Sequence, residues 1–385
     1  SDVCSSDLAA ASGLETMPVY ALQLGLLTLV LAPPARRGVA LAAGVAAALV
    51  AIRTDGFVIP LAIAVPLFLA GQRRLALAIV AACAATFAAL TAWRLAYYGL
   101  PLPNVVYAKV HGDLLSRIFI AAWNVAFFLT FTGILPFMAL PFAALPRMAR
   151  QAIAGGLSEL AHPRVMVVGV SAALVGYWFA IGGDAYGERF LLLLYPLGVL
   201  MLAWLVADAR IAVTLIVLFD LFPLFYDGRF AYADKSYDMW IETGRFLGER
   251  HPGATLAVDA AGKIPYFSGL RTIDMLGLND RHIASIEGVA YRRPGHSKTD
   301  HDYVLARQPD LIAAWRTRDY DITWKLDRER YLAAGYCPRY LVYSERDRVP
   351  EPIIDLATRP AEAWADISMS WNYMVLERRA ECPLR

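Results

Sequence analysis

Long apolar runs fill residues 14–227, and nothing else in the chain constrains its fold as strongly. The hydrocarbon core of a bilayer is about 30 Å thick and takes roughly 20 apolar residues of helix to cross. Runs at 16–33, 38–52, 57–71, 75–95, 119–145, 165–182, 189–207 and 211–226 are read as about eight spans. Backbone groups in lipid must bond within their own segment, so each span is expected to be helix. The runs at 38–52 and 57–71 are short and flank Arg53-Thr54-Asp55-Gly56. They read either as two short crossings or as a hairpin that dips in and returns. Apolar residues are 58% of the chain and charged residues 18%, too apolar a mixture for one soluble domain. The expectation is a membrane all-α multi-span helical bundle over 9–227, followed by a soluble α/β domain over 228–385.

Charge placement suggests an orientation. Arg36, Arg37, Arg73, Arg74, Arg147, Arg150, Arg164 and Arg210 fall on one side of the expected spans. Arg53, Arg94, Lys109, Arg117, Arg189 and Arg229 fall on the other, more often among acids. Lysine and arginine near span ends favour the cytoplasmic face. The loops at 53–56, 96–118 and 183–188 and the whole C-terminal domain are therefore expected outside. A net charge of +2 gives no electrostatic case for nucleic acid. Cys4, Cys83, Cys337 and Cys382 form no CxxC pair, so a metal cluster is not indicated, while Cys337 and Cys382 can bridge in an oxidising compartment. Residues 1–8, SDVCSSDL, read as a non-native leader joined to the reading frame near Ala9, which would leave upstream segments missing.

Ionisable groups at membrane depth are costly and usually functional. Four polar clusters stand out, each with a structural and a chemical reading. In Arg53-Thr54-Asp55-Gly56, Asp55 can cap the next helix, or the pair can floor a charged pocket. Tyr97-Tyr98-Gly99 leads through Pro101 and Pro103 to Asn104, Tyr107 and Lys109. The prolines oppose helix there, so this reads as a turn or as a rigid loop that presents Asn104, Tyr107 and Lys109 to an anionic, hydroxylated substrate. Gly182-Gly183-Asp184, with Glu188-Arg189, reads as a tight turn or as a phosphate clamp through Arg189. Glu15, in Gly13-Leu14-Glu15-Thr16, favours a helix N-terminus. All four fall on the same expected face, where Trp93, Tyr97, Tyr98, Tyr107, Tyr177, Trp178 and Tyr186 also gather as an interfacial belt.

In the C-terminal domain a helix is expected over 236–250, stopped by His251-Pro252-Gly253. Strands are expected at 255–259, 271–275, 311–314, 339–343 and 374–377, with helices near 281–290, 299–307 and 325–335. That alternation argues for an α/β layer, mostly parallel. His296, Asp300, His301 and Asp302 match no defined metal spacing, and no nucleophile elbow, P-loop or dinucleotide fingerprint is present.

Taken in order, these motifs resemble a membrane glycosyltransferase family of the GT-C type. That family includes the terminal arabinofuranosyltransferases that cap cell-wall arabinan. The resemblance extends to Asp259-Ala260-Ala261-Gly262, Pro265-Tyr266-Phe267-Ser268-Gly269 and Asp274-Met275-Leu276-Gly277-Leu278-Asn279-Asp280, and covers about residues 10–285. It implies transfer of a sugar from a polyprenyl-phosphate donor to a cell-envelope glycan or other acceptor, with inversion, at the outer face of a bacterial inner (plasma) membrane. No cofactor or divalent metal is implied beyond the donor substrate. In that family an Asp in the first external loop acts as general base, and the loop precedes the element matching Gly13-Leu14-Glu15-Thr16. The chain is therefore expected to lack the base and to turn over poorly. The resemblance makes Arg53, Lys109 and Arg189 candidates for the donor phosphate. Asp55, Asn104, Tyr107, Asp184, Asp259 and Asp274 become candidates for sugar or acceptor hydroxyls. The chief alternative is a transporter or flippase of a lipid-linked glycan, which would need polar residues through the membrane depth. A membrane-anchored binding module ranks below it, because the C-terminal domain shows no catalytic set.

Overall fold

The computed structural model describes residues 16–32, 38–132, 153–184, 190–205, 238–259, 261–287, 295–316, 328–343, 352–358 and 372–380, with isolated helical positions between them. The chain divides into two compact units, Ser1–Pro103 with Gly112–Tyr232, and Asn104–His111 with Ala233–Arg385.

The first unit is helical. Its elements are α1 (Thr16–Leu31), α2 (Val39–Ile52), α3 (Val58–Leu69) and α4 (Arg73–Tyr98). After α5 (Asn104–Lys109), which belongs to the other unit, come α6 (Leu114–Thr132), a 3-10 turn (Leu157–Ala161), α7 (Pro163–Ile181) and α8 (Leu194–Leu205). The expected run at 211–226 lies outside the described residues, and α6 is described to Thr132 only. The 26 residues of α4 make a helix about 39 Å long at 1.5 Å per residue. It and α7 are the two described helices long and apolar enough to cross a membrane. The other apolar helices are shorter than the expected spans; α3, with 12 residues, reaches only about 18 Å. The polar Arg53–Gly56 turn ends α2, and Gly71, at φ 83°, follows α3.

The core of this unit is a seam of small and branched side chains. Ala42, Ala46, Leu49 and Val50 of α2, Ile59, Ile63 and Leu67 of α3, and Val167, Val170 and Leu174 of α7 are buried together. On α4 the buried stripe is narrow: Leu75, Ala76, Ile79 and Cys83. Leu77, Val80, Trp93 and Leu95 of the same helix stay exposed. A soluble helix turns its polar face outward; α4 turns apolar side chains outward as well.

The second unit is a mixed six-stranded sheet in the order β2-β1-β3-β6-β4-β5. A helix, α9 (Met239–Arg250), precedes β1 (Thr255–Val258), α10 (Lys263–Ser268), β2 (Arg271–Asp274), α11 (Arg281–Ser285), α12 (His301–Ala306) and β3 (Leu311–Arg316). Then follow α13 (Arg328–Ala333), β4 (Tyr336–Tyr343), β5 (Ile353–Asp355) and β6 (Asn372–Arg378). The Asp238 side chain caps α9 by accepting from Trp240 N and Ile241 N. Alternate residues of each strand feed two cores. Leu256, Val258, Leu311 and Ala313 pack with Met239 and Leu247 of α9, while Ala257, Ile312 and Ala314 pack with Ile283, Val304 and Tyr331. Helices thus cover both faces.

The expected strands are all present, and β5 is an addition. The expectation of a mostly parallel sheet is corrected. β1 is parallel to β2 and β3, but β6 is antiparallel to both β3 and β4, and β5 is antiparallel to β4. β4 therefore runs in the same direction as β3, one strand's width away, and the last strand fills that slot from the opposite direction. Alternating hydrophobicity sets which face a residue occupies and carries no information on strand direction.

Candidate functional site

Three of the four polar clusters contribute to one place in the helical unit. Arg53, at the end of α2, has its guanidinium on Asp55 through two hydrogen bonds: Nε to Oδ1 at 2.9 Å and Nη2 to Oδ2 at 2.9 Å. Tyr177 of α7 donates its hydroxyl to the same Oδ2 at 2.9 Å. The Arg53 guanidinium lies 4.0 Å from the centre of the Phe190 ring. Such planar pairing and stacking is a guanidinium property that lysine does not share. Arg94 of α4 reaches the same turn and donates to Thr54 Oγ1 at 3.3 Å. Asp184 is buried, and its charge acts on Tyr177.

Local backbone chemistry sets this geometry. A Cβ at Gly56 would stand 2.0 Å from Leu49 O, so only glycine lets the turn close against the end of α2. Gly182 and Gly183 have φ of 85° and 81°. Such left-handed backbone terminates α7 and turns the chain so that Asp184 points inward. The resulting notch is lined by Thr16, Gln23, Arg53, Asp55 and Tyr177 against apolar walls including Val19, Ile59 and Leu174, with a volume of about 40 Å³. That is room for a few waters and much less than a sugar ring fills.

Sequence reasoning named Arg53, Asp55 and Asp184, and the structure brings them together. Arg189 lies outside the described residues, as do Tyr186 and Gly13-Leu14-Glu15. Tyr177 and Trp178 correct the belt expectation. Trp178 is buried with Nε1 3.4 Å from Ala121 O, and Tyr177 is a ligand of Asp55. Trp93, Tyr97 and Tyr98 do form an exposed aromatic cluster at the end of α4. Arg94, Thr16 and Phe190 were not singled out as site residues. Arg94 was one basic residue among many, and only its reach to Thr54 distinguishes it.

The remaining candidates belong to the sheet unit. Asn104, Tyr107 and Lys109 lie on α5, a short helix packed against α11. This corrects the rigid-loop expectation: the prolines end at Pro103, and residues after a proline are free to turn helical. Asp259 and Asp274 are both buried, at 4% exposure each, and both serve the fold. Asp259 accepts from Trp315 N and from the Tyr373 hydroxyl at 2.7 Å. Asp274 accepts from Leu276 N and Asn279 N, and its burial raises its pKa above the usual carboxylate value. The acids and histidines near 300 are also engaged. Asp300 caps α12 and holds His282, His301 meets the Tyr331 hydroxyl, and Asp302 pairs with Arg330. Cys337 of β4 is in a disulfide.

Residues 229–350 match a family model described as a domain of unknown function (DUF8728). The match spans β1 to β4 and stops short of β5 and β6. No curated protein and no solved structure matches the chain.

Proposed function

We propose that the chain is a multi-span membrane protein of the glycosyltransferase class. In this reading it moves a sugar from a polyprenyl phosphate to a hydroxyl of a cell-envelope glycan on the extracytoplasmic side of the membrane. The observation that carries the reading is the Arg53–Asp55–Tyr177 group, an ionic cluster within a largely apolar helical unit. Burying such a pair is costly, and a fold without use for it would replace it with apolar side chains. The outward apolar face of α4 supports the membrane placement, and the disulfide at Cys337 supports an oxidising compartment for the sheet unit.

In the transfer, the bond from the sugar's anomeric carbon to the phosphate oxygen breaks and a bond to the acceptor oxygen forms. The acceptor proton passes to a carboxylate, and the electron pair leaves with the polyprenyl phosphate. A cation near the leaving oxygen stabilises that charge; Arg53 and Arg94 are the described residues of this kind. The carboxylate oxygens of Asp55 are already engaged by the Arg53 guanidinium and the Tyr177 hydroxyl. Asp55 therefore positions Arg53, and the general base is a different carboxylate. Sugar transfer from a polyprenyl-phosphate donor in membranes holding the full-length protein tests this. Arg53→Lys and Asp55→Asn are each expected to lower it by about 10²-fold, the scale of one lost electrostatic contact in a transition state. Unchanged transfer in both variants would remove the cluster from the site.

A further inference from the structure

The notch beside Arg53 carries a set of side chains that the transfer step leaves unused. Thr16, Tyr20 and Gln23 of α1 all line it. Their spacing of four and then three residues puts them on one face of the helix, along about 10 Å of its axis. Thr16 is 4% exposed, and its hydroxyl is buried with no hydrogen-bond partner among the described residues. Tyr20 and Gln23 are partly buried, and among the described residues no hydrogen bond engages the phenol or the amide. Leaving a buried hydroxyl unbonded is costly.

The lining decides what can answer that need. Hydroxyls and the amide both donate and accept, so these three suit a neutral partner that does the same. An anion gains little here, because the Arg53 guanidinium is already on Asp55 and the carboxylate opposes a second negative charge. Water alone would satisfy the hydroxyls, but it gains nothing from the apolar lining of Val19, Ile59 and Leu174. A group with one carbon and one hydroxyl uses both kinds of lining, as ligand sites with a few placed polar groups do. The volume of about 40 Å³ admits such an arm and excludes a sugar ring.

We propose that the notch takes the primary hydroxyl of the donor sugar. Its hydroxymethyl arm enters beside Thr16, while the ring and the phosphate stay outside. The proposal rests on the transferase reading of the same site and adds a substrate class to it: sugars with a free hydroxymethyl group. The arm is the donor's because the neighbouring Arg53 is, in that reading, where the leaving phosphate gains charge.

The test is binding to the purified full chain in nanodiscs. The probes are polyprenyl-phosphate arabinofuranose and polyprenyl-phosphate mannose, each with its deoxy counterpart lacking the primary hydroxyl. At least one parent donor is expected to bind about tenfold more tightly than its deoxy counterpart, the scale of a hydrogen-bonded hydroxyl lost from a buried site. Thr16→Val is nearly isosteric and removes only the unbonded hydroxyl. It is expected to weaken the parent donor a few-fold and leave the deoxy donor unchanged, so the preference shrinks. Thr16→Ser is expected to keep the preference. Tyr20→Phe gives the same readout from a second position should Thr16→Val fail to fold. Equal binding of parent and deoxy donors, or a preference unchanged in both Thr16→Val and Tyr20→Phe, overturns the arm assignment and leaves the transferase reading standing. No binding of any donor overturns both.

Discussion

Replacing Tyr177 by Phe removes one oxygen and leaves ring packing intact, so it isolates a single bond of the buried cluster. That hydroxyl donates to Asp55 Oδ2 at 2.9 Å, on an oxygen that also accepts from Arg53 Nη2. Hydrogen bonds to a charged partner contribute about 1.5–3 kcal/mol. The Arg53 and Asp55 side chains are 12% and 20% exposed, so water replaces the lost donor poorly. Tyr177→Phe is therefore expected to cost about 2 kcal/mol of unfolding free energy. Asp55→Ala strands the guanidinium and is expected to cost about 3–5 kcal/mol. Tyr177 and Asp55 share one contact, so the double variant should cost less than the sum, with a coupling of about 1–2 kcal/mol. Denaturant titration of the four proteins in mixed micelles, read by tryptophan fluorescence, gives the cycle. A cost below about 0.5 kcal/mol for Tyr177→Phe, together with additivity, would refute the view that the three residues act as a unit.

Other perturbations probe separate parts of the fold. Gly56→Ala drives a methyl into Leu49 O and is expected to abolish the monodisperse peak in gel filtration, whereas Gly44→Ala, with open space around it, is not. Tyr373→Phe removes the hydroxyl that bridges Asp259 Oδ1 and Ala313 O, and should cost the sheet unit about 1.5–3 kcal/mol in denaturant melts. Burial holds the pKa of His251 below its usual 6.5, so the folded state favours the neutral ring. The stability this gives is present above pH 6.5 and is lost as pH falls from there towards the lower folded value. His251→Gln should flatten the pH dependence in that window, and an unchanged profile would exclude the histidine as its source.

Much of the architecture was legible because it follows from short-range pattern. The apolar runs located α1 to α4 and α7, and an apolar stripe stopped by His251-Pro252-Gly253 located α9, whose Asp238 cap the structure added. Short strand-like segments between helical stretches located β1, β2, β3, β4 and β6. β5, three residues at the sheet edge, was too short to carry a pattern. The helix ends were set by features the runs did not weigh: the close approach at Gly56 and the left-handed glycines after α3 and α7.

The candidate site divides along the same line. Sequence alone determined that charged residues interrupt an apolar stretch at Arg53–Gly56 and at Gly182–Asp184, because ionic groups in such surroundings stand out by composition. Only the tertiary structure decided which partners complete them. Tyr177 was one aromatic ring among seven in sequence; in three dimensions its hydroxyl meets Asp55, 122 residues away. Asp259 and Asp274, prominent in sequence, prove to be satisfied by backbone and tyrosine within the sheet unit. Lys298 drew no notice as one lysine in a polar turn; in three dimensions it is buried and donates to Ala284 O. A side chain's type is written locally, but its desolvation and its hydrogen-bond partners come from residues distant in the chain, and those two quantities decide what it can do.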